Sequence, residues 1–445
     1  RFRPQTATGR LFFNHTRRLA VNILLVGSGG REHALAWKIS RSPKVRSLYI
    51  APGNGGTARL GQNIVLRDDD IGGIVAFARA HAIDLVVTGP EAPLVLGLAD
   101  ALKEAGIACF GPCAFAAQLE GSKAFAKNMM RKTGVPTAAF TVFNRYEEAL
   151  GHVRTHPLPM VVKADGLAAG KGVVIAQTRE EAENALKEMM LDKVFGPAGE
   201  TVVIEEALTG EEASFLAFCD GKNIVPMPSL QDHKRIGDGD TGPNTGGMGA
   251  YSPAPVLGES RYAAMTDLCM RPIVDRLAAL GHPFRGVLYA GLMMTDRGPM
   301  VLEYNVRFGD PECQPLMARL DSDLVDIMTA CAAGDLAAGH VSFRPETSCC
   351  VVMAAKGYPR TYPKGMVITG IEEAEKLPDV VVFQAGTKRD GDRIITTGGR
   401  VLGVTALGAD LEKARARAYE AVERIRFDNS YHRTDIACKG LGRKA

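Results

Sequence analysis

The sequence predicts a multidomain protein of mixed α/β and α+β class, with a parallel-sheet N-terminal domain, a central α+β region and a small β-rich C-terminal domain. Three observations carry this. Short apolar runs alternate with helical segments up to about residue 121, the pattern of an open parallel sheet. From 122 to about 341 the strand-like runs lengthen and become neighbours, and from 342 short strands dominate until a last helical stretch. Finally, 445 residues exceed what one ordinary core organises, so two to four packed units are expected.

In the first unit, VNILLV from Val21 reads as a strand, Gly27-Ser28-Gly29-Gly30 as a turn, and REHALAWKIS as a helix. Further strands are expected at 48–50, 83–87 and 107–110. The backbone N–H groups of Gly29 and Gly30 at a helix start can hold a phosphate or carboxylate, or the turn can simply let helix and sheet approach. A nicotinamide site would prefer GxGxxG and an acid ending the second strand, but that strand runs into Ala51-Pro52-Gly53-Asn54-Gly55-Gly56. Upstream, residues 1–20 hold five arginines, and the first carboxylate of the chain is Glu32. This leader reads as the remnant of an organelle transit peptide, or else as a cloning scar or solvated tail.

In the second unit, the stretch from Lys163 to Val173 places three glycines and Lys171 between two apolar strands, so it is a hairpin and not a Walker loop, which must open a helix. Such a hairpin can fold over a polyphosphate, with the Gly170 and Gly172 amides turned inward and Lys171 adding charge. Lys163 ends the run PMVV, where an ammonium is costly unless an anion meets it. Glu205 and Glu206 end the strand TVVI, and Glu212 follows after Ala207, Leu208 and a Thr-Gly turn. Backbone at such a strand end can pair with an adenine edge while a carboxylate takes ribose hydroxyls. Helices are expected over 178–190 and 259–280.

Between Gln231 and Pro255 lie six glycines and three prolines in 25 residues, together with Asp232, His233, Lys234 and Asn244. A segment this long without regular structure suits a flexible cover over charged substrates, with disorder as the alternative. The most informative run is Val301-Leu302-Glu303-Tyr304-Asn305-Val306-Arg307-Phe308-Gly309-Asp310-Pro311-Glu312. In a strand, Glu303, Asn305 and Arg307 project to one face, presenting two oxygen ligands and a guanidinium. A hard cation such as Mg²⁺ takes one or two such oxygens and completes its shell with phosphates, while Arg grips phosphate or carboxylate as a fork. After 342, VVMAAK, VVVFQAGTK and RIITTGGRVLGV read as strands, and 410–426 as a helix.

Composition narrows the function classes. The sequence is 46% apolar and 23% charged, with no apolar run near the roughly 18 residues of a membrane span. A net charge of +3 is small for this length and argues against a nucleic-acid binder. Nine scattered cysteines without CxxC spacing suit a reducing compartment.

Together VGSGGREHALAWK, APGNGGTA, GPEAPL, the 231–255 segment and EYNVRFGDPECQ resemble the phosphoribosylamine–glycine ligases of the ATP-grasp superfamily, from about Asn22 to Ile436. The resemblance implies an N-terminal α/β domain at 21–121, a two-part ATP-grasp region at 122–341 and a C-terminal domain at 342–445. Lys123 and Lys163 match the nucleotide-contacting lysines, Glu205 to Leu208 and Glu212 match the adenosine-binding stretch, and Glu303 and Asn305 match the metal ligands. Arg307 matches the arginine that faces the reacting carboxylate and phosphate. Gly291 stands where many superfamily members carry an acidic ligand, which puts a second fully ligated metal in doubt. The implied reaction joins glycine to 5-phosphoribosylamine through glycyl phosphate, with ATP and Mg²⁺ or Mn²⁺. Arg307, Lys171 and Asp232 are the expected catalytic groups. Gly29 and Gly30 are expected at the sugar phosphate, Glu91 at ribose hydroxyls, and Asp232 or Asn244 near glycine, with Gly246, Gly247 and Asp310 completing the substrate side. The expected partners are these small molecules, with no nucleic acid or membrane, and the chain a monomer or a weak associate of other purine enzymes. A related carboxylase would need a different cover segment. A non-catalytic nucleotide sensor would not need the Glu303/Asn305/Arg307 set. Localisation follows the leader: chloroplast or another organelle if it is a transit peptide, otherwise cytoplasm.

Overall fold

The computed structural model describes residues 20–167 and 172–443. In the first unit the strands Val21–Gly27, Val45–Pro52, Gln62–Asn63, Leu85–Thr88 and Ala108–Phe110 form one sheet, all pairs parallel. The Val21–Gly27 strand sits in the middle, and its alternation explains why. Ile23 and Leu25 face one core and Leu24 and Val26 another, all with 0% exposure, so the strand needs cover on both faces. Its neighbours are Val45–Pro52 on one side and Leu85–Thr88 on the other. The order of the chain therefore reverses beside it, and the Gly27–Gly30 turn leaves from its carboxyl end, where open α/β sheets place ligands.

Two antiparallel four-stranded sheets follow. The smaller has the order Phe140–Phe143, Val202–Glu206, Met160–Ala164, Val173–Ala176. The larger has the order Ile224–Pro226, Glu211–Asp220, Arg285–Thr295, Gly298–Asn305. The expected helix over 259–280 is broken up: Arg271–Ala279 is regular, but before it the Arg271 N–H reaches back to Thr266 O across a widened turn. Pro272 at the helix start has no N–H to give, which removes the bond that would continue a regular ladder. Similarly the 178–190 helix is regular only over Arg179–Leu186, with the wide turn Lys187–Leu191 after it.

In the C-terminal part, Thr347–Ala355 and Arg400–Gly408 pair at the centre of a six-stranded sheet, with Val380–Gln384 at one edge and the helix Leu411–Val422 packed on it. The other edge overturns the expectation of a structureless cover. Gln231–Asp232 and Gly249–Ser252 pair with each other, and Gly249–Ser252 pairs with Thr347–Ala355, so the 231–255 segment is stitched into this sheet. Between them Arg235–Gly237 and Thr241–Asn244 form a hairpin. Arg433, fully buried, holds the hairpin by donating to Asp240 Oδ1 at 2.9 Å and to the Arg235 carbonyl at 3.0 Å. The glycines and prolines that suggested a loop mark tight turns between these short strands. Among the described residues no helix is long and apolar enough to cross a membrane.

Candidate active site

The larger central sheet builds one polar face by register. Ser214 pairs with Gly291, which pairs with Glu303; the next row is Leu216, Tyr289 and Asn305. Paired residues and those two apart share a face, so Glu303 and Asn305 project together as predicted. Tyr304, between them, turns the other way and donates to the Cys269 carbonyl inside a core. The strand ends at Asn305, so Arg307 is not its third member as expected; it lies two residues beyond. It nevertheless returns to the same place. Burial opposes ionisation of Glu303, but Lys234, Lys163, Lys123 and Arg307 together hold its carboxyl below the usual range.

Arg307 is gripped by two carboxylates. Its Nη2 donates to Glu120 Oε1 at 2.5 Å and its Nε to Glu91 Oε2 at 3.2 Å. Glu120 also accepts the Val306 N–H at 2.8 Å. Burial pushes the Glu120 carboxyl up to about 7 despite Arg307, whereas Glu91 is held low by Arg307 and Arg31 against its own burial. Glu91, expected at ribose hydroxyls, is thus paired with Arg307.

Between the two central sheets lies a cationic cleft. Lys163 meets an anion of the protein itself: Glu205 Oε2 accepts from Lys163 Nζ at 2.9 Å and from Lys127 Nζ at 3.0 Å. Glu205 is 1% exposed, and its Oε1 has no partner among the described residues. Burial and Lys163 push Lys127 down to about 8. Lys123 donates to the Gly166 carbonyl at 2.9 Å, and burial lowers its pKa. Glu206 faces Arg297 at 3.1 Å and accepts the Ala139 N–H at 3.0 Å, while Ala207 and Leu208 follow the strand end half-buried. Glu212 pairs with Lys234. Gly172 closes the hairpin, its carbonyl accepting from Ala164 N at 2.8 Å; Gly170 and Lys171 lie outside the described residues.

Asp232 stands beside this group. Burial raises its carboxyl, Lys234 lowers it, and Glu312 and Glu212 raise it again, with the net shift upward. Asn244 ends the hairpin opposite Arg235 and makes no side-chain hydrogen bond among the described residues.

A cavity of about 370 Å³ opens between the first domain and the C-terminal sheet, lined by Gly29, Asn54, Asp310, Thr387 and Arg400 among others. The expected anion seat at the helix start is partly filled. The Gly29 N–H donates to Glu32, and the Arg31 N–H to Asp310 Oδ2 at 3.3 Å, so carboxylates already meet two of these amides. Positive charge comes instead from Arg400, which donates to the carbonyls of Gly246 and Asp310 and lies 3.6 Å from the Asp310 carboxylate. Gly247 has φ +110°, and a Cβ there would lie 2.4 Å from Pro311 Cδ. Gly247→Ala is therefore expected to cost about 1–3 kcal/mol of stability, read by denaturant unfolding. An unchanged midpoint would contradict this packing.

The reading of residues alone gave no site role to Glu120, Lys127, Lys234, Glu312 and Arg400. Lys234 could have been found, two residues from Asp232 in a charged segment. Glu120 and Arg400 carry no local signal, since their partners lie 187 and 90 residues away.

A cleft between two antiparallel sheets, lysine-lined and ending in a carboxylate, an amide and an arginine, defines an ATP-grasp enzyme. The phosphoribosylglycinamide synthetase N domain profile matches residues 21–120, the ATP-grasp (A) domain profile 121–313 and the C domain profile 348–439. The chain belongs to the phosphoribosylglycinamide synthetase family. It is 51% identical to phosphoribosylamine–glycine ligase from Rhodopirellula baltica, covering 94% of this chain and 98% of that one. It is 53% identical to the Allochromatium vinosum ligase, over 95% and 100% of the two. Among solved structures, phosphoribosylamine–glycine ligase from Thermotoga maritima superposes with TM-score 0.82 at 34% identity, covering 94% of this chain and all (100%) of that one. A biotin carboxylase from Campylobacter jejuni, 15% identical with TM-score 0.74 over 93% of each chain, shares the fold.

Proposed function

We infer that this chain joins glycine to 5-phosphoribosylamine in purine synthesis, consuming ATP and releasing ADP and phosphate. The carrying observation is the row of Glu303 and Asn305 on one sheet face with Arg307, Lys123, Lys163 and Lys234 gathered about it. Glycine's carboxylate oxygen attacks the γ-phosphorus and the bond to ADP breaks, giving glycyl phosphate. The amine nitrogen of phosphoribosylamine then attacks the acyl carbon, phosphate leaves, and the amine proton passes to solvent or to the departing phosphate. No side chain becomes covalently attached, so the work is positioning and charge stabilisation, which can supply several kcal/mol.

Glu303 and Asn305 would hold one divalent cation. The donor set suits Mg²⁺ or Mn²⁺: one carboxylate kept ionised, one amide, and no cluster of three or more acidic, His or Cys ligands among the described residues, leaving positions for phosphate oxygens. Once bound it neutralises charge on the transferring phosphoryl group. Lys123, Lys163, Lys171 and the Gly170 and Gly172 amides hold the nucleotide phosphates, with Glu205, Glu206, Ala207, Leu208 and Glu212 at adenosine. Arg307 takes the reacting carboxylate, with Asp232, Asn244, Gly246 and Gly247 on the substrate side. The sugar phosphate sits in the 370 Å³ cavity near Gly29, Gly30 and Asp310. Arg400→Ala is accordingly expected to raise KM for phosphoribosylamine about 10- to 100-fold with KM for ATP unchanged, the scale of one lost charge-assisted bond.

The domain limits we propose are 21–121, 122–341 and 342–445, with residues 231–252 lent to the third unit's sheet, and the molecule a monomer. A fusion of residues 1–20 to a fluorescent reporter tests organelle targeting, and cytoplasmic fluorescence would remove it. The reaction is tested by ADP release with ATP, Mg²⁺, glycine and freshly generated phosphoribosylamine. Turnover that ignores glycine, or that runs on bicarbonate in its place, would sink this reading.

A further inference from the structure

We propose that Lys127 is the standing counter-ion of Glu205, and that by holding this carboxylate it lets Lys163 leave it for the phosphates of the arriving nucleotide. Lys127 is thereby a positioning residue that acts through Lys163. The inference deepens the nucleotide-binding part of the reading above and rests on it.

Two ammonium groups share one carboxylate oxygen. Glu205 Oε2 lies 2.9 Å from Lys163 Nζ and 3.0 Å from Lys127 Nζ, and all three side chains are buried. One negative charge thus faces two positive ones away from water, so one cation is in surplus until another anion joins them. The two lysines differ in how they are held. Lys127 Nζ also donates to Thr137 Oγ1 at 2.7 Å, and Thr137 Oγ1 donates in turn to the Val301 carbonyl at 2.6 Å. The Val301 N–H donates to the Pro136 carbonyl at 2.8 Å, which fixes the partner of Lys127 to the larger central sheet. Lys163 makes no side-chain hydrogen bond except the one to Glu205 among the described residues, although an ammonium has three hydrogens to give. It stands on Met160–Ala164, the strand that leads into the glycine-rich hairpin. The lysine with a single tie is the one that can exchange it, and the lysine with two stays.

Without Lys127, that exchange would strand a buried carboxylate whose Oε1 already has no partner among the described residues. With Lys127 in place, the surplus charge goes to the phosphates and a matched pair remains behind. The charged groups facing Lys127 are Lys163 and Glu205 from the smaller sheet and Glu303 from the larger. Burial, with Lys163 as a like charge, pushes Lys127 down to about 8; once Lys163 has moved away, Lys127 holds its proton more firmly. ATP binding above pH 8 should therefore take up a proton and weaken as pH rises.

Lys127→Met is expected to weaken ATP binding about 30-fold at pH 7, measured by calorimetry without glycine, because Glu205 then retains Lys163. The same substitution made on Glu205→Gln, where no carboxylate competes for Lys163, should cost less than about threefold. Equal costs on the two backgrounds would mean that Lys127 meets the phosphates itself or only packs, and either result overturns the proposal, as does no cost at all. Wild-type affinity for ATP should fall by up to about tenfold per pH unit above pH 8. Lys127→Arg, which stays protonated there, should bind ATP within about threefold of wild type at pH 7 and flatten that fall. This series serves if the Met variant does not fold: a wild-type affinity that is level from pH 7 to 9.5 (about 1.5 units of titration), or a fall that Arg leaves in place, overturns the proposal. A wild type that binds ATP in this way but shows no glycine-dependent ADP release would sink the ligase reading and leave the exchange standing.

Discussion

Glu303→Ala is expected to abolish metal-dependent turnover, with kcat/KM for ADP release falling on the order of 1000-fold, about 4 kcal/mol of barrier. Glu303 is the sole carboxylate of the proposed metal pair, and the charges of four nearby cations favour its ionised form. Removing it leaves Lys123, Lys163, Lys234 and Arg307 with less negative charge to balance, so metal-free nucleotide should bind no more weakly than before. The variant is therefore expected to lose kcat and its dependence on Mg²⁺ while ATP affinity without metal is kept. Retained activity with normal Mg²⁺ titration would remove the ligand role.

The second large effect belongs to Arg307. Arg307→Lys preserves charge but not the planar fork that reaches Glu91 and Glu120 together, and is expected to lower kcat about 100-fold. Arg307→Met goes further. It strands two carboxylates whose other ties are few, a loss of about 3–5 kcal/mol of stability at neutral pH. Glu120 already titrates near 7 with Arg307 present, so without it the side chain should be protonated at neutral pH, and the lost stability should partly return as pH falls. The sign follows from the upward shift: the native state then binds a proton more tightly than the unfolded chain, so acid favours it until the unfolded carboxyl itself protonates. Denaturant melts from pH 5 to 8 would show this, and a flat profile would contradict it.

Much of the architecture was legible because it depends on period. The alternation of Ile23, Leu24, Leu25 and Val26 announces a strand buried on both faces, and the spacing of Glu303 and Asn305 puts them on one side of theirs. Arg307 broke the rule because period two holds only while the strand lasts, and it stops at Asn305. The 231–255 segment was misjudged for a related reason. Strands of two to four residues are too short to show a period, and their pairing with Thr347–Ala355 is a contact across about a hundred residues. Glu120 and Glu312 escaped because a carboxylate's value to a site lies in what faces it, and nothing beside either residue in sequence tells of Arg307 or Tyr289.

The stitching of residues 231–252 into the C-terminal sheet bears on how the enzyme would breathe. A segment whose two edge strands are hydrogen-bonded into a six-stranded sheet, and whose hairpin is clamped by a buried arginine, does not swing by itself. The smaller central sheet is held across the cleft by ties such as Glu206 to Arg297 and Lys123 to Gly166. The 231–252 segment therefore moves only together with the C-terminal sheet it is paired into.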